Sequence, residues 1–185
     1  EAPWGNYNRI MLSPVLSGEK SFAEIMLHSV DWYTEKGIRF IGGDAALSID
    51  RSRKQVHTGK GEMVAYDRLI LATGSKPFIP PIPGAELEGV MSFRDIQDVN
   101  RMLDYCKTKQ NAVVIGGGLL GLEAAYGLKQ RGMNVTVLHL IDRIMDRQLD
   151  MKASQMLKKS IEEKGIRIIT EANTEELLGS DGHVT

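Results

Sequence analysis

Read for its apolar positions, the chain changes period several times. From about Phe22 to Lys36 apolar residues recur at helical spacing, and Gly37 stands where a helix C-terminus favours a left-handed residue. "IRFIGG" (38–43) predicts a short strand. "AALSID", "KQVHTG" and "EMVAYD" are short runs separated by polar turns, and they predict a small antiparallel meander. "RLILATG" (68–74) predicts an apolar strand ending in a glycine, while the prolines of "SKPFIPPIPGAE" exclude helix or central strand. The opening "EAPWGNYNRIMLSPVLSG", rich in Pro, Gly and Asn, predicts irregular loop.

The second half is more regular. "SFRDIQDVNRMLDYCKTK" predicts a helix starting near Ser92 or Asp95, with Ile96, Val99, Met102 and Leu103 on one face. Cys106 continues that face, which gives it a packing role. A domain boundary is expected near Lys109. A β-α-β pattern follows: "NAVVIG", a helix over Leu119–Arg131, then "NVTVLH". A further helix, about Asp150 to Lys164, would place Met156, Leu157 and Ile161 on one side, with Gly165 closing it before the strand "IRIIT". Glu175–Leu178 predicts a strand and Ser180–Gly182 a turn, so Val184–Thr185 would open a partner strand that is cut short. The chain is therefore expected to be a piece of a longer polypeptide. It contains no internal repeat or low-complexity segment.

Composition narrows the classes. Hydrophobic content of 42% and charged content of 25% are ordinary for a globular protein, and a net charge of -1 gives no basis for binding nucleic acid. No apolar run approaches the roughly 20 residues of a membrane span, and no secretory signal pattern opens the chain. A cytoplasmic setting is expected. The single cysteine, Cys106, forms no internal disulfide and supplies too few thiolates for an iron–sulfur cluster. The four histidines are scattered, so no metal site is expected.

The candidate chemistry lies in "VVIGGGLLGLEAA" (113–125). Gly116, Gly118 and Gly121 have GxGxxG spacing directly after a strand and at the start of a helix. The first permits the tight turn, the second lets a pyrophosphate approach the backbone, and the third allows close helix–strand packing. With Gly117, Leu119 and Leu120 they form the candidate NAD(P) loop, at a helix N-terminus whose N–H groups and dipole suit an anion. About 20 residues on, an Asp or Glu is expected to accept hydrogen bonds from the adenosine ribose. Here His139 stands at that point. A neutral imidazole could make one such bond, and a protonated one, with Arg143 nearby, would tolerate a 2′-phosphate; equally, His139 could simply cap a strand end.

"ATG" followed by proline and then, about 40 residues on, GGGxxGxE resembles the flavoprotein disulfide-reductase superfamily. "YNRIMLS", "GLLGLEAA" and "DRQLD" are together similar to the large-subunit branch of the assimilatory NAD(P)H nitrite reductases. The resemblance spans essentially the whole chain. It implies an α/β fold, with a Rossmann-like parallel-sheet NAD(P)-binding portion over 110–185. Residues 1–109 would be an incomplete FAD-binding portion containing the antiparallel meander. For FAD it implies Glu1 at the ribose, Arg9 near the pyrophosphate, Ala46 at the adenine, and Ala72, Thr73 and Gly74 at a second contact. It implies Glu123 beside the nicotinamide. Read from the residues alone, Arg9 could be a surface ion pair and Glu123 a solvated helix residue.

Pro14 occupies the place where some branches carry a redox cysteine, and no CxxxxC is present, which disfavours disulfide and peroxide chemistry. The expected activity of the intact protein is hydride transfer from NAD(P)H to FAD, with siroheme and an iron–sulfur cluster only outside this chain. The FAD motifs that the family places before Glu1 and after Thr185 are absent, so the chain alone is expected to retain little FAD and to be inactive. Expected partners are the remaining domains of the same polypeptide, and possible assembly with a small subunit or as a homodimer. The alternatives are an NADH-dependent rubredoxin or ferredoxin reductase and a non-catalytic nucleotide-binding module.

Overall fold

A computed structural model describes residues 3–185. The chain divides into two compact units: the described residues up to Asn8 with Ala23–Ser75, and Arg9–Phe22 with Lys76–Thr185. This grouping follows packing and differs from a division at Lys109.

Part of the opening segment is helical, not irregular. After a 3-10 turn at Arg9–Met11 comes α1, Leu12–Ser17. Pro14 is tolerated because first-turn N–H groups have no intrahelical carbonyl. Gly18 (φ 93°) ends the helix, its N–H donating to the Pro14 and Val15 carbonyls. Leu12, Val15 and Leu16 are buried.

In the first unit, the long helix expected over 22–36 is two short ones, α2 (Phe22–Ile25) and α3 (Val30–Glu35). Met26 forms a bridge with Tyr7, which takes the backbone out of helix, and Ser29 caps a new start by accepting the Trp32 N–H at 3.3 Å. Gly37 (φ 66°) follows the second helix as expected. The meander is present: β1 (Ala46–Asp50), β2 (Gln55–Thr58) and β3 (Met63–Ala65) pair antiparallel in sequence order. Residues 38–43 and 68–74, expected as strands, form none. A strand exists only where a neighbour pairs its N–H and C=O groups. Among the described residues no strand lies beside either run, and Ile70 is 87% exposed.

In the second unit, α4 (Ile96–Cys106) begins after Asp95, which accepts the Asp98 N–H at 2.9 Å. The Asp98 carboxylate accepts in return from the Arg94 N–H and the Ser92 hydroxyl. Ile96, Val99 and Met102 are buried, as their spacing predicts. The Cys106 thiol lies 3.4 Å from the Met133 sulfur, and burial pushes its pKa up.

The parallel sheet has β4 (Asn111–Ile115), β5 (Asn134–Leu138) and β6 (Ile166–Ile169) in that order, joined by α5 (Leu119–Gln130) and α6 (Met151–Glu163). Ile115 pairs with Leu138 and Leu138 with Ile169, so the three strands end level. Asp150 caps α6, accepting the Ala153 N–H at 2.8 Å. The inward line of α6 runs through Ser154, Leu157 and Ile161, spaced i, i+3 and i+7; Met156 lies off that line and is 67% exposed. The final hairpin is β7 (Gly179–Ser180) with β8 (His183–Val184), not a strand over 175–178. Asp181 and Gly182 both have positive φ, as a two-residue hairpin turn requires.

α1 lies along one stripe of α5. Glu123, Gly127 and Arg131 recur every four residues. Glu123 accepts the Ser13 hydroxyl, Gly127 leaves room for the Leu16 side chain, and Arg131 donates to the Val15 and Leu16 carbonyls. A Cβ at Gly127 would stand 2.7 Å from Leu16 Cγ. Alanine there gains about 1 kcal/mol in helix propensity, but overpacking costs about 1–3 kcal/mol. Gly127→Ala is therefore expected to lower stability in urea unfolding. In a Leu16→Ala background the same change should raise it.

Candidate functional site

The site grows from the junction of β4 and α5. Gly116 leaves the sheet with φ 119°, a conformation that L side chains rarely adopt, while its N–H donates to Leu138 at 2.8 Å. Gly118 is extended (φ -86°, ψ -177°) and caps α5 without a side-chain hydrogen bond. The first-turn N–H groups thus have no intrahelical acceptor and form a patch of positive potential.

The four glycines have different reasons. A Cβ at Gly121 would collide with the Gly116 carbonyl oxygen, so the helix crosses the turn at a distance only glycine permits. A Cβ at Gly117 would meet Ile144 Cγ2 at 2.9 Å and His139 Cγ at 3.0 Å. Gly118 has neither constraint: its φ is ordinary and a Cβ would meet nothing within 4 Å. The protein itself does not demand glycine there. What the missing side chain leaves is open space directly before an uncapped helix start, a cradle for an anion.

Both polar atoms of Gly117 are held by the segment after β5. Its N–H donates to His139 Nδ1 at 3.1 Å, and its carbonyl accepts the Met145 N–H at 2.9 Å. His139 Nε2 lies 3.3 Å from Asp146 Oδ1. Ile144 is fully buried, and its carbonyl accepts the buried Ser154 hydroxyl at 2.7 Å.

Glu123 is half-buried one turn further along α5, and it accepts the Ser13 hydroxyl at 2.5 Å. That distance is typical of an O–H donating to a carboxylate. The pair lines a hollow of about 200 Å³ with Arg9, Phe93, Leu119 and Leu120. A flat ring carrying an amide would find apolar walls and an acceptor there.

The structure thus brings the glycine loop, Leu119, Leu120, Glu123, His139 and Arg9 into the second unit. Ala46, at the start of β1, and Ala72, Thr73 and Gly74 are exposed residues of the first unit, with Gly74 at φ 70°. Glu1 lies outside the described residues. Sequence reasoning gave no role to Ser13, 110 positions from Glu123, or to Asp146, the first residue of "DRQLD". Among the described residues no helix is long and apolar enough to cross a membrane, and no group of His, Cys, Asp and Glu side chains has the arrangement of a metal site.

A parallel β-α-β unit with a glycine turn before an uncapped helix defines a dinucleotide-type α/β domain. The chain belongs to the pyridine nucleotide-disulphide oxidoreductase family, whose pattern matches residues 5–185. It is 48% identical to the nitrite reductase [NAD(P)H] of Bacillus subtilis, over 97% of this chain and 22% of that protein. It is 46% identical to the assimilatory nitrate reductase electron transfer subunit of the same organism, over 96% of this chain and 23% of that protein. The chain therefore spans about a quarter or less of those relatives. The crystal structure of NADH:rubredoxin oxidoreductase from Clostridium acetobutylicum superposes with a TM-score of 0.84 at 31% identity, covering 94% of this chain and 46% of that one.

The glycine assignments separate by stability alone. Gly121→Ala is expected to cost about 2 kcal/mol or more, because the carbonyl it strikes is backbone and cannot turn aside. Gly118→Ala should cost no more than about 1 kcal/mol, the usual loss when alanine replaces a glycine N-cap. Urea unfolding of the two variants measures both.

Proposed function

We propose that this chain is the pyridine-nucleotide-accepting part of an NAD(P)H-dependent flavoprotein, and specifically the electron-input module of an assimilatory nitrite reductase large subunit. The observation that carries the nucleotide reading is Gly118. It is a glycine that the fold does not need, at the point where a pyrophosphate would approach α5. Family membership and the names of the two Bacillus subtilis relatives support the rest.

In this reading residues 110–185 hold NAD(P)H and residues 1–109 contribute to an FAD site. The backbone at Gly116–Gly118 and the first turn of α5 would hold the pyrophosphate, with Leu119 and Leu120 flanking it. Glu123, steadied by Ser13, would face the nicotinamide amide. Arg9 would offer its cation to the flavin pyrophosphate, Ala46 would give a backbone contact to the adenine, and Ala72, Thr73 and Gly74 would form a second FAD contact. FAD, when bound, supplies two-electron acceptance from the nucleotide and one-electron release to further centres. The chain's own task is to bind and orient. No side chain is required as a general base, and Pro14 with the lone, half-buried Cys106 leaves no dithiol for disulfide exchange.

Reduction of nitrite is assigned to siroheme and an iron–sulfur cluster in other domains of the same polypeptide, since one cysteine supplies too few cluster ligands. Those domains are the proposed partners, in the cytoplasm.

Calorimetric titration with NADH tests the nucleotide reading. Wild type is expected to bind, and Gly118→Val to lose at least about tenfold in affinity, because its side chain fills the cradle. Equal affinities would remove the pyrophosphate from this loop.

A further inference from the structure

We propose that Asp146, not His139, is the acceptor for the adenosine ribose, and that it makes this site select NADH over NADPH. The inference rests on the nucleotide reading of the glycine loop and goes one step beyond it, to the residue that decides which nucleotide is taken.

The argument begins with a donor that cannot change. The Gly117 N–H points at His139 Nδ1 at 3.1 Å, and a peptide N–H only donates. Nδ1 must therefore accept, which leaves the ring proton on Nε2. Nε2–H faces Asp146 Oδ1 at 3.3 Å, and a carboxylate accepts it. Both ring nitrogens are thus committed inside the protein, and the His139 side chain is only 13% exposed. Protonating the ring would set an N–H against the Gly117 N–H. With this loop in place, His139 offers neither a free acceptor to a ribose hydroxyl nor a cation to a 2′-phosphate.

What the ring does instead is hold a carboxylate at the end of β5. Asp146 is 27% exposed, and its second oxygen accepts no hydrogen bond from the described residues. Its position is well fixed. The neighbouring Met145 donates its N–H to the Gly117 carbonyl, and Ile144 is anchored by Ser154 beneath α6. His139 directly follows β5, the place where a Rossmann-type site takes its ribose acceptor, and the Asp146 carboxylate lies against its ring. A carboxylate accepts from the two hydroxyls of an unmodified ribose and repels a 2′-phosphate. Two arginines lie nearby in sequence. Arg143 is already paired with Asp142 at 3.0 Å, although its Nε is buried without an acceptor, and Arg147 is exposed.

Calorimetry with NADH and NADPH on the full chain tests this. Wild type is expected to bind NADH at least about tenfold tighter than NADPH, the scale of a charged hydrogen bond. Asp146→Asn keeps an oxygen for the His139 Nε2–H but removes the charge, and it should bring the two affinities within a few-fold of each other. A wild type that binds NADPH as tightly as NADH, or an Asp146→Asn variant with the wild-type ratio, overturns the proposal. Should the variant not fold, the imidazole nitrogen shifts of wild-type His139 decide: the Nε2–H tautomer, undisturbed by bound NADH, is expected, and a protonated or Nδ1–H ring overturns it. If wild type binds neither nucleotide, the loop reading fails and this proposal with it, a result distinct from binding without selectivity.

Discussion

The rest of the site depends on one close approach. The α-carbon of Gly121 lies against the carbonyl of Gly116, nearer than any side chain would allow. This sets the distance between β4 and α5, and hence aims the uncapped start of α5 at the space beside Gly118. The strand, the left-handed turn and the helix then behave as one rigid piece. An anion held by such a start meets N–H groups already oriented, so little ordering remains to be done on binding.

Two further layers are built on that piece. On one side, the segment after β5 closes over Gly117 through His139, Ile144 and Met145. Gly117 has to be glycine because the imidazole and the isoleucine need the room that its Cβ would take. On the other side, α1 runs along the stripe of Glu123, Gly127 and Arg131. Arg131 closes the carbonyl end of α1, and Ser13 reaches the carboxylate nearest the helix start. The same docking that buries Leu16 therefore places Arg9 and Ser13 around the hollow beside Glu123. Packing and candidate chemistry share these residues.

Much of this was legible beforehand where the relevant interactions are local. The spacing of Ile96, Val99 and Met102, the helix starts near Asp95 and Asp150, the meander, the parallel strands and the GxGxxG spacing all report a period or a backbone requirement within a few residues. Expectations failed where a distant partner decided. Residues 38–43 and 68–74 have strand composition but no neighbouring strand among the described residues. The expected helix over 22–36 breaks because Met26 meets Tyr7, 19 positions earlier. The opening segment, loop-like by its prolines and glycines, contains α1 because α5 provides a surface for Leu16.

The sequence by itself determined the class of domain and the location of its glycine turn, since glycine geometry and apolar period are properties of consecutive residues. Only the tertiary structure decided what surrounds that turn. Whether His139 is a ligand or a support depends on which groups face its two nitrogens, and these are Gly117 and Asp146, 22 and seven positions away. Whether Glu123 is a solvated helix residue or a positioned acceptor depends on Ser13, at a separation of 110. Side-chain roles of this kind are set by proximity in space, and a one-dimensional pattern does not carry that information.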